Sequence, residues 1–113
     1  MKGMVMSVEE SRFTAAADEF LSRAADLIDD ALGDDIDAEL QGGILTLSLE
    51  TGGQYVINKH TPNRQIWMSS PASGASHYDF ADGQWLSTRD PSKTLPTVLA
   101  AELNAKFGVT LAF

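Results

Sequence analysis

The sequence contains no cysteine, which excludes disulfides, thiolate metal sites and a cysteine nucleophile. Metal chemistry is thereby restricted to carboxylate, histidine or backbone oxygen, and histidine occurs only twice. No apolar run approaches the about 20 residues that span a bilayer. The opening MKGMVMS has neither the apolar core of a secretory signal nor the Arg-rich, acid-poor character of a mitochondrial presequence, so a soluble chain is expected. Basic residues are scarce: eight Lys and Arg stand against sixteen Asp and Glu, for a net charge of −8. Phosphate binding relies on a Lys/Arg excess, so nucleic acid is not an expected partner. Nor does the chain carry a P-loop, a G-x-G-x-x-G or a G-x-S-x-G.

What charge there is lies unevenly. Residues 1–50 hold twelve acidic and three basic side chains, 3 − 12 = −9, and residues 51–113 hold four acidic and five basic, 5 − 4 = +1. A metal cation or a basic protein patch therefore suits the first half. With 113 residues and 43% hydrophobic content, one core is expected: a disordered N-terminus over residues 1–6 and a single domain over 7–113.

Ser7-Val8-Glu9-Glu10 has the form of a capping box and predicts a helix from Val8. Phe13, Ala16, Ala17, Phe20, Ala24, Leu27, Ile28, Ala31 and Leu32 form its apolar stripe, and Gly33 is placed to end it. Its opposite side gathers Asp18, Glu19, Asp26, Asp29 and Asp30, and the acidity continues through Asp34, Asp35, Asp37 and Glu39. Such a face is ordinarily only solvated. Like charges at i,i+4, as with Asp26 and Asp30, nevertheless cost helix stability. Carboxylates without Cys or His partners suit hard cations such as iron, manganese, calcium or magnesium, weakly held and partly hydrated.

Period-two alternation then predicts strands in IDAEL, ILTLSLE, QYVINKH, QIWMS, SHYDFA and QWLST, separated by Gly42-Gly43, Thr51-Gly52-Gly53, a Pro-Asn turn, the SSPASG loop and Asp82-Gly83. Leu95, Val98, Leu99, Leu103 and Phe107 mark a second helix closed by Gly108, and VTLAF is an alternating tail suited to covering a gap in the core. The expected fold is α+β, a two-layer α-β sandwich with two helices on one face of an antiparallel sheet of about six strands. In QIWMS, Ile66 and Met68 share the core face while Gln65, Trp67 and Ser69 share the other. Trp67 thus falls on a polar surface beside Asn58 and Gln65, the arrangement of an interface anchor. A one-residue slip in register would bury it instead. Trp85 is assigned to the core. His60 and His77 fall on wet faces with no nucleophile or metal-ligand motif beside them.

The run YVINKHTPNRQIWMSSPASG, with the acidic first helix and VLAAELNAKF in the second, resembles the frataxin family, called CyaY in bacteria. The resemblance implies an α-β sandwich acting in iron–sulfur cluster assembly, binding iron (Fe2+/Fe3+) weakly through surface carboxylates and docking on a cysteine desulfurase and its scaffold protein to modulate sulfur transfer. Carried over by position, it assigns metal binding to Asp26, Asp29, Asp30, Asp34, Asp35, Asp37 and Glu39, and partner binding to Asn58, Gln65 and Trp67, with His60 and His77 on the same surface. His60 stands where mitochondrial members have Gln, and His77 where they have Arg. A contact that needs a guanidinium is therefore in question, since a neutral imidazole lacks its charge and fork. The expected protein is a mostly monomeric, non-enzymatic regulator without membrane association, located in the bacterial cytoplasm or, for a mature eukaryotic chain, in the mitochondrial matrix. The competing reading is a ferroxidase that oxidises Fe(II) and stores it. The inward-facing Glu and Glu-x-x-His sets of a di-iron bundle are lacking from the sequence.

Overall fold

Ser7 starts the first helix as its sequence requires: its hydroxyl accepts the Glu10 N–H at 3.0 Å, filling one of the vacant donors of the first turn. The helix, α1 (Val8–Leu32), buries Phe13, Ala17, Phe20, Leu21, Ala24, Ile28 and Leu32. This row differs from the expected stripe at four places. Ala16 and Leu27 are only half-buried. Leu21 joins it, four residues from Ala17 and seven from Ile28, whereas Ala31 lies on the exposed flank. The computed structural model describes residues 7–113, and the expected disorder of residues 1–6 lies outside the described residues.

Gly33 ends α1 as expected, but without the left-handed backbone common in glycine caps. Its backbone stays right-handed, φ −59° and ψ −22°, and the Asp35 N–H reaches back to the Leu32 carbonyl at 2.9 Å. Glycine is needed there for space, because a Cβ would meet the Asp29 carbonyl oxygen at 2.6 Å.

Six strands follow: β1 (Ile36–Gln41), β2 (Ile44–Leu49), β3 (Gln54–His60), β4 (Gln65–Ser70), β5 (Gly74–Ala81) and β6 (Gln84–Ser87). They pair antiparallel in sequence order, as short connections between neighbours dictate. The second helix, α2 (Leu95–Phe107), is capped by Thr94 and closed by Gly108 at φ 71°. Leu45, Leu47, Tyr55, Ile57, Ile66, Met68, Tyr78 and Trp85 turn inward and form one core with the buried residues of both helices. At about 1.5–3 kcal/mol for each large side chain buried, this core dominates stability and fixes the strand register. The sandwich has two helices on one face of a six-stranded antiparallel sheet.

The connections depart from expectation in detail. The Pro-Asn turn is a 3-10 turn, Thr61–Asn63, followed by Arg64 in the left-handed region at φ 51°, so four residues, 61–64, join β3 to β4. The SSPASG loop contracts to 71–73, since Ser69 and Ser70 belong to β4 and Gly74 opens β5. Ser70 holds the strand end inward: it is a buried polar residue whose hydroxyl donates to Glu102 Oε1 at 2.6 Å and accepts the Ala72 and Ser73 N–H groups at 2.9 and 3.1 Å. Glu102 also accepts from the Tyr55 hydroxyl at 2.8 Å and the Ser73 hydroxyl at 2.6 Å. One carboxylate thus ties α2 to β3, β4 and the 71–73 loop. Burial, then the hydrogen bond and negative charge of Glu102, push the Tyr55 phenol up to about 12. The tail 108–113 has no regular structure, but Val109, Leu111 and Phe113 pack against the core. Phe113 meets Phe20 edge-on with centroids 6.4 Å apart.

Candidate functional site

The outward face of the sheet is built by register. Ile44, Asn58, Trp67 and His77 stand directly opposite one another across β2, β3, β4 and β5, and His60, Gln65 and Asp79 form the adjacent row. Ile66 and Met68 are buried on the other side, so Trp67 lies on the outward face, half-buried by its neighbours. Both faces of its indole are covered. The His60 ring stacks on one with centroids 3.7 Å apart and planes 8° from parallel, and the His77 ring on the other at 4.3 Å and 11°. The indole N–H donates to Gln65 Oε1 at 2.7 Å, and Gln65 Nε2 donates to Asp79 Oδ1 at 2.8 Å. Asn58 borders the cluster and donates to the Lys59 carbonyl at 3.3 Å. All five residues of the expected docking surface are therefore brought together. Asp79, which fixes Gln65, was not among them; only the register of β4 with β5 could have revealed it.

The acidic residues are arranged differently. Asp26, Asp29, Asp30, Asp34, Asp35, Asp37 and Glu39 are all exposed, on α1, the turn after it and β1. They do not converge. Asp26 borders a depression with Glu19, Ser22 and Arg23, while Asp34, Asp35 and Asp37 line another with Glu50. Glu39 belongs to a third, with Gln41, Ile44 and Thr46. Glu50 was missed by sequence reasoning because it follows β2 and reaches the group only through the hairpin, its N–H bonding the Asp35 carbonyl at 2.9 Å. Among the described residues no three His, Asp or Glu side chains are grouped to hold one ion. The arrangement suits cations held loosely, with water supplying most ligands. Two acids of α1 outside the expected set have partners: Glu19 pairs with Arg23, and Asp18 accepts from Lys59 Nζ at 2.8 Å. Lys59 lies on the inward face of β3, so it crosses the edge of the core to reach α1.

The chain is similar in sequence and fold to known proteins. The frataxin-like domain family matches residues 6–109. The mitochondrial frataxin homolog of Saccharomyces cerevisiae is 37% identical over 103 residues, 88% of this chain and 59% of that protein. That of Schizosaccharomyces pombe is 40% identical over 90 residues, 78% of this chain and 56% of that protein. The chain thus spans less than two thirds of the length of these relatives. Among solved structures, frataxin from Psychromonas ingrahamii superposes with a TM-score of 0.77 at 27% identity, covering 90% of this chain and 94% of that one. Trimeric frataxin from the yeast Saccharomyces cerevisiae, complexed with ferrous iron, gives 0.70 at 31% identity, covering 96% and 94%. No described helix is long and apolar enough to cross a membrane. Matched along nearly its whole length by the family and at more than 30% identity by its relatives, the chain belongs to the frataxin family.

Proposed function

We propose that this chain is a non-enzymatic, iron-binding regulator of iron–sulfur cluster assembly, a single domain over residues 7–113 that works as a monomer. It takes up iron as cargo, weakly, along Asp26, Asp29, Asp30, Asp34, Asp35, Asp37 and Glu39. It docks on a cysteine desulfurase and its scaffold protein and modulates sulfur transfer, with Asn58, His60, Gln65, Trp67 and His77 forming the contact face. Its working compartment is the mitochondrial matrix in a eukaryote and the cytoplasm in a bacterium. The observation that carries the docking reading is the Trp67 indole, held outward on the sheet by a hydrogen bond and two stacked rings. An aromatic side chain fixed in advance on a polar surface loses little freedom on binding, which is how interface anchors gain affinity. The dispersed carboxylates complement this by attracting a basic patch at long range.

The test is sulfide production by the cognate desulfurase and scaffold, measured with and without the chain. A clear change in turnover that Trp67→Ala abolishes supports the reading, and unchanged turnover with the wild-type chain contradicts it. The trimeric yeast relative complexed with ferrous iron favours a second reading, an oligomeric ferroxidase and iron store. Oxygen uptake with ferrous iron, together with assembly into larger particles, would distinguish it.

A further inference from the structure

We propose that Asp79 is the positioning residue of the docking face, acting on Trp67 through Gln65. This rests on the docking reading above and adds a residue to it. Asp79 and Gln65 are directly opposed across β4 and β5, and Trp67 is two residues along β4 on the same outward face. The chemistry of the three side chains gives the chain a direction. An indole N–H is a donor only and an ionised carboxylate an acceptor only, whereas a glutamine amide carries one group of each kind. Trp67 requires the amide oxygen and Asp79 requires the amide nitrogen, so the two together permit one orientation of Gln65. The observed bonds, 2.8 Å from Gln65 Nε2 to Asp79 and 2.7 Å from Trp67 Nε1 to Gln65 Oε1, follow that orientation. A charged acceptor at the far end also polarises the amide and strengthens the second bond.

The stacking partners complete the constraint. His60 and His77 close the two faces of the indole but leave it able to slide or turn within its plane. The bond from Gln65 removes that freedom. What a partner meets is the free edge of an indole whose plane is set by imidazoles and whose rotation is set by Asp79. Asp79 is exposed, so its replacement removes the orientation without opening the core.

Asp79→Ala, Asp79→Asn and wild type test this in two arms. The first reads the free protein: its two tryptophans, one outward and one in the core, give separate indole N–H signals in proton–nitrogen spectra. Asp79→Ala is expected to shift the Trp67 signal and speed its solvent exchange several-fold, leaving the Trp85 signal and the melting temperature unchanged. Asp79→Asn keeps an acceptor oxygen in place and is expected to restore the signal. The second arm titrates the cognate desulfurase–scaffold complex, where Asp79→Ala should weaken docking about tenfold, the size of one lost hydrogen bond, and Asp79→Asn, which keeps the acceptor oxygen, should recover part of it. A Trp67 signal in Asp79→Ala that coincides with wild type overturns the proposal, as does a shifted signal with undiminished docking. Because the first arm needs no partner, its failure is distinct from failure of the docking reading, which Trp67→Ala probes.

Discussion

The sheet face around Trp67 and the acidic edge formed by α1 and β1 are both polar surfaces on one small sandwich, yet they are organised by opposite means. On the sheet face the central groups have defined partners: the indole has a hydrogen bond and two stacked rings, and the glutamine that holds it is itself held, while His60 Nδ1 is buried without a hydrogen-bond partner. On the acidic edge the seven carboxylates of the expected set are exposed and spread over three depressions and the last turn of α1. Under the proposed function, the first region would recognise by shape and the second by field. Shape depends on side-chain positions to a fraction of an ångström, whereas a field depends only on the sum of charges and on the ionic strength that screens it. A weakly held cation and a tightly shaped protein contact can therefore share one domain without competing for the same residues.

The contrast can be broken most strongly where a strand's two faces meet. Ile66 and Trp67 are adjacent in β4, one fully buried and the other outward. Ile66→Ala is expected to cost about 2–5 kcal/mol of stability, and Trp67→Ala far less while losing most of the effect on sulfide production. Chemical denaturation of the two variants checks this; a Trp67→Ala protein as unstable as Ile66→Ala would return Trp67 to the core.

A smaller effect concerns the half-buried carboxylate of Glu102, which is bonded rather than displayed. Tyr55→Phe removes one hydrogen bond to Glu102, a loss of about 1–2 kcal/mol. It also changes the response to alkali. The folded phenol holds its proton up to about 12, against about 10 in the unfolded chain, so the unfolded state releases it first. The stability from this group is complete below about pH 10 and is lost as pH rises through about 12. Denaturant midpoints measured from pH 9 upward should fall for wild type over that range and flatten for Tyr55→Phe. Parallel curves would contradict the assignment.

The smallest effects belong to the acidic edge. Asp29 and Asp30 lie in the last turn of α1, which has no basic residue, and the helix dipole disfavours anions there by a few tenths of a kcal/mol each. Asp29→Asn with Asp30→Asn should raise the melting temperature slightly and weaken iron binding, and added salt should raise the wild-type value in the same direction. Paramagnetic broadening by iron should centre on Asp26 to Glu39 and spare Asp79, Asp82 and Glu102. A double variant less stable than wild type, or broadening centred on His60 or His77, would count against the field account.

The same division explains what could be read from the sequence. Alternation in YVINKH and QIWMS placed Trp67 outward and Ile66 inward because the core fixes strand register, and the capping Ser7 and the α1 stripe located the helix. The acidic edge was equally accessible, since a field needs only the charges and their rough position. What sequence could not supply were contacts joining distant segments through side-chain conformation. Lys59 reaching Asp18, Glu102 gathering three hydroxyls, and Asp79 fixing Gln65 each depend on two elements packing side by side. The turn at Arg64 and the right-handed backbone at Gly33 were not legible for a local reason: one puts a positive φ on a residue that seldom takes it, and the other uses glycine for clearance rather than for its dihedral freedom.

The most direct test of the division between shape and field is the affinity of the cognate desulfurase–scaffold complex for wild type, Trp67→Ala and the Asp29→Asn, Asp30→Asn double variant, measured across a series of salt concentrations. Loss of a shaped anchor should lower affinity by the same factor at every salt concentration, leaving the slope unchanged, whereas loss of field charges should make the slope shallower and cost most at low salt. The opposite pattern, a salt slope altered by Trp67→Ala and untouched by the double variant, would contradict the account.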